Sequence, residues 1–205
     1  TNPSTIFSAG LWMGGVDPAG NLKLATVDYR TNSKHDYSAG PLSADGTTTE
    51  NTCANWDVHF RVTLEEIQAF LVALPLSQSQ AVAQFPGVMG WPARGNATFV
   101  DIWGFDLPFT TQPLAPFFDS DANGVYDPLA GDFPVVQLRN KVPFVPAEII
   151  WCVFNDQNAG GPHSGSQGKP IQAEVQLTAW AFDCSEQAVL NNTVFTSHKI
   201  INRAT

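Results

Sequence analysis

With 205 residues, 19 acidic against 10 basic side chains and a net charge of −9, the chain lacks the clustered Lys and Arg that a nucleic-acid backbone requires. Charged residues make up only 14%, while Gly (16) and Pro (15) are frequent, which favours short strands joined by turns over a helix bundle. The length suits one domain with a full hydrophobic core, and no apolar run reaches membrane-spanning length.

In chain order, Ile6 to Met13 and Leu22 to Tyr29 flank a dense turn signal over 14–21 and predict a β-hairpin. Residues 31–55 are polar and predict a long surface excursion. Trp56, Val58, Phe60 and Val62 then alternate with Asp57, His59 and Arg61, the pattern of a half-buried strand. Thr63-Leu-Glu-Glu66 reads as a capping box. Ile67, Phe70, Leu71 and Leu74 follow at helical spacing until Pro75, which predicts one short capped helix. A second short helix is compatible with 77–84. The Pro- and Gly-rich stretch 86–116, with Trp91 and Trp103, predicts ordered irregular chain, since its aromatics are costly to leave in water.

The stretch Asp119-Ser-Asp121-Ala-Asn123-Gly124-Val125-Tyr126-Asp127 carries oxygen-bearing side chains at alternating positions, with Gly124 where the backbone must turn sharply. That spacing predicts a calcium loop using Asp119, Asp121, Asn123, the Val125 carbonyl and Asp127. Position twelve, where an EF-hand places a bidentate Glu, is Ala130; Asp132 is the residue that folding back would supply. The opposing reading is a surface loop whose Asp and Asn side chains merely cap turns.

Further on, 148–154 is a continuous apolar run suited to a central strand buried on both faces. Residues 155–170 form a Gly, Asn and Ser loop. Over 171–182, Ile171, Ala173, Val175, Leu177, Ala179 and Ala181 alternate with Gln172, Glu174, Gln176 and Thr178, which puts Trp180 on the polar face. Residues 192–202 predict a last strand. The fold class expected from this order is mainly β. It is a β-sandwich with jelly-roll-like character, one short capped helix and long ordered loops, in a single domain over 1–205.

Catalytic signals are weak. Glu65 with Glu66, and Asp101 with Asp106, are the carboxylate pairs a glycosidase would need, and Glu66 is already used as a cap. The four histidines stand isolated, and no nucleophile elbow, P-loop or dinucleotide fingerprint appears. The sequence therefore predicts no enzyme. Cys53, Cys152 and Cys184 lack metal-ligand spacing, so one disulfide with a leftover thiol and three thiols both stay open. Trp103 and Trp180 are the candidate sugar platforms, against the commoner role of indoles in packing.

Several segments in order resemble one family. They are Gly10-Leu-Trp-Met-Gly-Gly15 with Gly20-Asn-Leu22; Cys53 through Trp56-Asp57 to Val62-Thr63 and Glu66-Ile67; and Trp91-Pro-Ala93 with Gly95-Asn96. The loop from Asp119 to Pro134, Trp151-Cys-Val-Phe-Asn-Asp156, and Thr193-Val-Phe195 with Lys199-Ile-Ile-Asn202 complete the series. Together they resemble the conserved region of large secreted, surface-exposed proteins of Bacteroidetes-type bacteria, exported by the type IX pathway. The resemblance implies an extracellular or cell-surface module without established catalysis. A start at Thr1-Asn2-Pro3 and an end soon after Arg203 predict either an excised piece of a longer product or a short relative. The predicted role is scaffolding or self-association into a homo-oligomer, fibre or sheath by edge-strand pairing, with the Thr1 to Ile6 tail as a candidate donor. The alternative is a carbohydrate-binding or adhesive module with surface glycans as partners.

Overall fold

A computed structural model of the chain describes residues 9–27, 35–108, 113–157 and 163–204. Its elements are β1 (Met13–Val16), β2 (Leu22–Ala25), β3 (Ser38–Ala39), α1 (Glu50–Trp56), β4 (Phe60–Thr63), α2 (Leu64–Ala73), α3 (Gln78–Gln84), α4 (Pro86–Met89) and α5 (Phe99–Trp103). They continue with β5 (Phe117–Phe118), a 3-10 turn (Pro128–Ala130), β6 (Phe133–Pro134), β7 (Glu148–Asn155), β8 (Ala173–Ala181), α6 (Ala188–Asn191) and β9 (Val194–Asn202). Strand takes 26% and helix 22%, so the chain is mixed α/β, which corrects the mainly β expectation. An antiparallel sheet is present as expected. It runs β3-β7-β8-β9, with β4 also on β7, beside two two-stranded sheets. Among the described residues, no second large sheet exists to make a sandwich.

The chain divides into two compact units, Thr1–Asp57 with Val153–Val175 and Ile200–Thr205, and Val58–Cys152 with Gln176–Lys199. Strands β7, β8 and β9 contribute residues to both.

In the first unit, β1 and β2 pair from Met13↔Ala25 to Val16↔Leu22, so Gly14 and Gly15, expected in the turn, are strand residues. The turn shrinks to 17–21 because the Asp17 carboxylate accepts hydrogen bonds from the amides of Ala19 (3.0 Å) and Asn21 (2.8 Å). The outer arms of the expected hairpin, and the Thr1 to Ile6 tail, lie outside the described residues. The polar excursion contains a helix, α1, whose N-terminus is capped by Thr49 Oγ1 accepting from the Thr52 amide (3.1 Å). Trp56, expected to open a strand, instead closes α1 and is buried.

The second unit is organised around Phe60, whose ring meets Trp103 edge-on at 5.0 Å and lies 5.9 Å and 6.0 Å from Phe99 and Trp151. Burying one such side chain contributes about 1.5–3 kcal/mol. Thr63 caps α2 as predicted, accepting from the Glu66 amide (3.2 Å). The reciprocal half of the capping box is not what Glu66 makes. Its Oε1 accepts from the amides of Gly87 (2.7 Å) and Val88 (3.3 Å), satisfying donors at the start of α4. A Cβ at position 87 would sit 2.6 Å from Glu66 Oε2 and 2.8 Å from the Arg61 carbonyl, so only glycine allows this approach. The complete capping box belongs to α3, between Ser77 and Gln80. The expected irregular stretch 86–116 is ordered in part as the short helices α4 and α5.

Strand β7 is flanked in the sheet by β3 and β4 and by β8, as its apolar run predicts, with Ile149, Trp151 and Val153 buried and the opposite face half-buried. Strand β8 departs from the expected one-sided burial. Ala173 and Val175 are buried as expected, but Glu174, Gln176, Thr178 and Trp180 on the polar face are buried too, while Leu177, Ala179 and Ala181 are only half-buried. Cys53, Cys152 and Cys184 are free thiols, and burial pushes the Cys152 thiol up to about 11, away from reactivity. No helix among the described residues is long and apolar enough to cross a membrane.

Candidate functional site

The Asp-rich loop is a built turn. Asp119 is half-buried, and its two oxygens accept from the amides of Asn123 (3.1 Å) and Gly124 (2.8 Å). Asp121 Oδ1 accepts from the same Asn123 amide (3.1 Å), and Asn123 Oδ1 accepts from the Val125 amide (2.6 Å). Gly124, at φ 75°, supplies the left-handed residue the turn needs. The ends of the loop are tied down. Tyr126 is buried and donates its hydroxyl to the Val88 carbonyl (2.8 Å), while its amide donates to the Arg94 carbonyl (2.8 Å).

Asp132 folds back, as the sequence suggested, but its carboxylate serves as a staple. Oδ1 accepts from the amide and hydroxyl of Ser120 (2.8 and 2.9 Å), and Oδ2 from the Asp127 amide (2.9 Å), with the residue fully buried. Asp121, Asn123, Val125 and Asp127 are exposed. Among the described residues, no three His, Cys, Asp or Glu side chains converge as a metal-holding group. The donors that do share this loop are hard oxygens, two of them neutral: the Asn123 amide and the Val125 carbonyl. Their chemistry fits Ca²⁺ and not a thiophilic or imidazole-seeking metal.

The remaining sequence candidates are dispersed. Trp103 donates its indole N–H to the Gly90 carbonyl (2.8 Å) and packs on Phe60. Trp180 is buried, stacks on Phe195 at 5.6 Å and 14°, and meets Phe144 edge-on. Both indoles are engaged in packing, Trp180 fully and Trp103 in part. Asp101 is exposed and accepts from Gln78 Nε2 (2.7 Å), Asp106 is exposed, and Glu66 is committed to α4.

What sequence reasoning missed is a buried polar network in the first unit. Asp36, fully buried, accepts from the amides of Thr26, Gly165 and Ser166. His163 places Nδ1 2.6 Å from the Leu24 carbonyl and Nε2 against the Asp156 carbonyl. Both contacts tie the buried ring to backbone carbonyls. The Asp36 carboxylate lies 3.8 Å from Nδ1. Asp156 in turn accepts from the amides of Ile171 (2.5 Å) and Ala173 (2.7 Å). The network fixes the loops around 24–26, 35–36 and 163–173. Asp156 entered the sequence reading only as the end of the Trp151 to Asp156 segment, and His163, bound by backbone carbonyls, leaves no sequence signal.

Comparison with known protein families, with curated proteins and with solved structures finds no match.

Proposed function

We propose that the chain is an exported, cell-surface or extracellular building module of the type IX-secreted kind, without catalytic activity, that acts by self-association. The observation that carries this reading is β9. It is nine residues long and stands at the end of the sheet order, beside β8 alone among the described residues. Most of its side chains are exposed, with Val194 at 66% and Ile200 at 54%. Soluble proteins blunt such edges with proline, bulges or inward charges, whereas β9 carries only Lys199 as a charged guard. An edge of this length is a template for the same strand of a second copy. Analytical ultracentrifugation at high concentration with calcium is expected to show oligomers, and Ile200→Lys, which adds charge at the exposed edge, is expected to return them to monomer. A wild-type protein that stays monomeric under those conditions removes the proposal.

The same reading assigns calcium to the loop through Asp119, Asp121, the Asn123 amide oxygen, the Val125 carbonyl and Asp127, with Asp132 holding the loop closed. Bound cation would offset the repulsion among these carboxylates and tie the loop between its anchors at Tyr126 and Asp132. At about a hundredfold excess over Kd this adds about 2.7 kcal/mol. Chelation should then lower the melting temperature by about 5–10 °C for a chain of this size. An unmoved midpoint leaves the loop as turn chemistry. The carbohydrate alternative loses support where it was placed, since Trp103 and Trp180 are both engaged in packing.

A further inference from the structure

The second unit contains a recess of about 620 Å³, within the size range of small-ligand sites. Neither of the two tryptophans, Trp103 and Trp180, lines it. From the geometry we infer that it binds an acidic saccharide through a uronate unit.

Three features of the lining select this class. First, its polar groups include Gln176 and Thr178, which β8 holds at 3% and 8% exposure on the face expected to meet solvent. Gln176 is oriented by donating Nε2 to the Pro113 carbonyl (3.3 Å). A carboxamide and a hydroxyl set this deeply are suited to hydroxyl groups, and a purely apolar ligand would strip their hydration without replacing it.

Second, the ionic side chains at the recess are cationic. Arg139 and Lys199 line it, and among the described residues no Asp or Glu does, in a chain with a net charge of −9. Lys199 Nζ reaches the Pro113 carbonyl at 3.5 Å, which draws it to this side of its strand. Arg139 is presented by a tight turn. Lys141 N donates to the Leu138 carbonyl (3.2 Å), Gln137 Nε2 braces the carbonyls of Leu138 and Lys141, and the pairing of Val136 with Phe144 closes the hairpin below it. The turn fixes the backbone from which the exposed Arg139 side chain extends, and a guanidinium can meet a carboxylate in two-point geometry.

Third, Pro113, Pro116, Phe117 and Leu138 supply apolar wall against which the C–H face of a sugar ring can lie. An inorganic anion would leave these walls unused, and a neutral sugar would leave the cations unused. A uronate uses all three.

Isothermal titration calorimetry of the full chain with a galacturonate trimer, the neutral galactose trimer and inorganic sulfate tests the inference. The uronate trimer is expected to bind with Kd below about 1 mM, and the other two at least about tenfold more weakly. Arg139→Gln and Lys199→Gln change exposed side chains and should each weaken the uronate about five- to tenfold, while Thr178→Val tests the floor with its shape kept. Absence of heat with the uronate, equal affinity for the neutral trimer or for sulfate, or undiminished binding in both cation variants overturns it.

Discussion

Glu174→Ala is expected to destabilise the protein by about 3–5 kcal/mol, the range for removing one partner of a buried ion pair. Glu174 is fully buried on β8, and its Oε2 accepts from Arg203 Nη2 (3.2 Å) and from the Leu42 amide (3.0 Å). The Arg203 side chain is itself only 9% exposed, and its Nε has no hydrogen-bond partner among the described residues. Alanine at 174 would therefore leave a guanidinium charge in the interior with less than its full set of acceptors, beside an unpaired Leu42 amide. Arg203→Met inverts the problem by stranding the carboxylate. Urea unfolding of Glu174→Met, of Arg203→Met and of the two together closes the cycle and gives the coupling. The double variant is expected to lose clearly less than the sum, because no buried charge remains unpaired. Single variants that each cost less than about 1 kcal/mol would show that the pair behaves as a solvated surface bridge.

That pair also shows where a sequence stops being legible. Period-two alternation over 171–182 identified β8 and its two faces correctly. It could not say that the polar face is buried along its whole length, while the apolar face is buried at Ala173 and Val175 and only half-buried from Leu177 on. Glu174 and Gln176 are buried because their partners come from far along the chain, Arg203 and Leu42 for one and Pro113 for the other. Nothing in local spacing announces such partners. Helix α1 was missed for a related reason, since Glu-Asn-Thr-Cys-Ala-Asn-Trp offers almost no apolar stripe and its start rests on the Thr49 cap. Where a local rule was sufficient, as for the Thr63 cap, the apolar run of β7 and the turn spacing of the Asp loop, the sequence led to the right element. Even there, the side chains expected to finish the motif were used elsewhere. Glu66 left its own helix for α4, and Asp132 closes the loop through Ser120 and Asp127.

The network around Asp36 gives the second large effect. Oδ1 accepts from the amides of Gly165 (2.8 Å) and Ser166 (3.2 Å), and Oδ2 from the amide (2.9 Å) and hydroxyl (3.2 Å) of Thr26. Asp36→Asn preserves size but turns one of these acceptors into an NH₂ that faces other donors whichever way the amide is placed. It also removes the carboxylate that lies 3.8 Å from His163 Nδ1. The expected cost is about 2–4 kcal/mol at neutral pH, from donors left unsatisfied in the interior. Burial pushes the Asp36 carboxyl up, but hydrogen bonds from Ser166, Thr26 and Gly165 outweigh it and hold the group below its ordinary value of 3.8. A carboxyl depressed on folding stabilises fully above its unfolded value and loses that contribution as pH falls through the folded one. The stability gap between wild type and Asp36→Asn should therefore be constant from neutral pH down to about pH 5 and narrow below about pH 4. Other depressed carboxyls, such as Glu148 beside Arg61, are common to both proteins and cancel in the difference. A gap that keeps its neutral value in urea titrations at about pH 2.5 would mean that the Asp36 carboxylate is not what the surrounding amides hold.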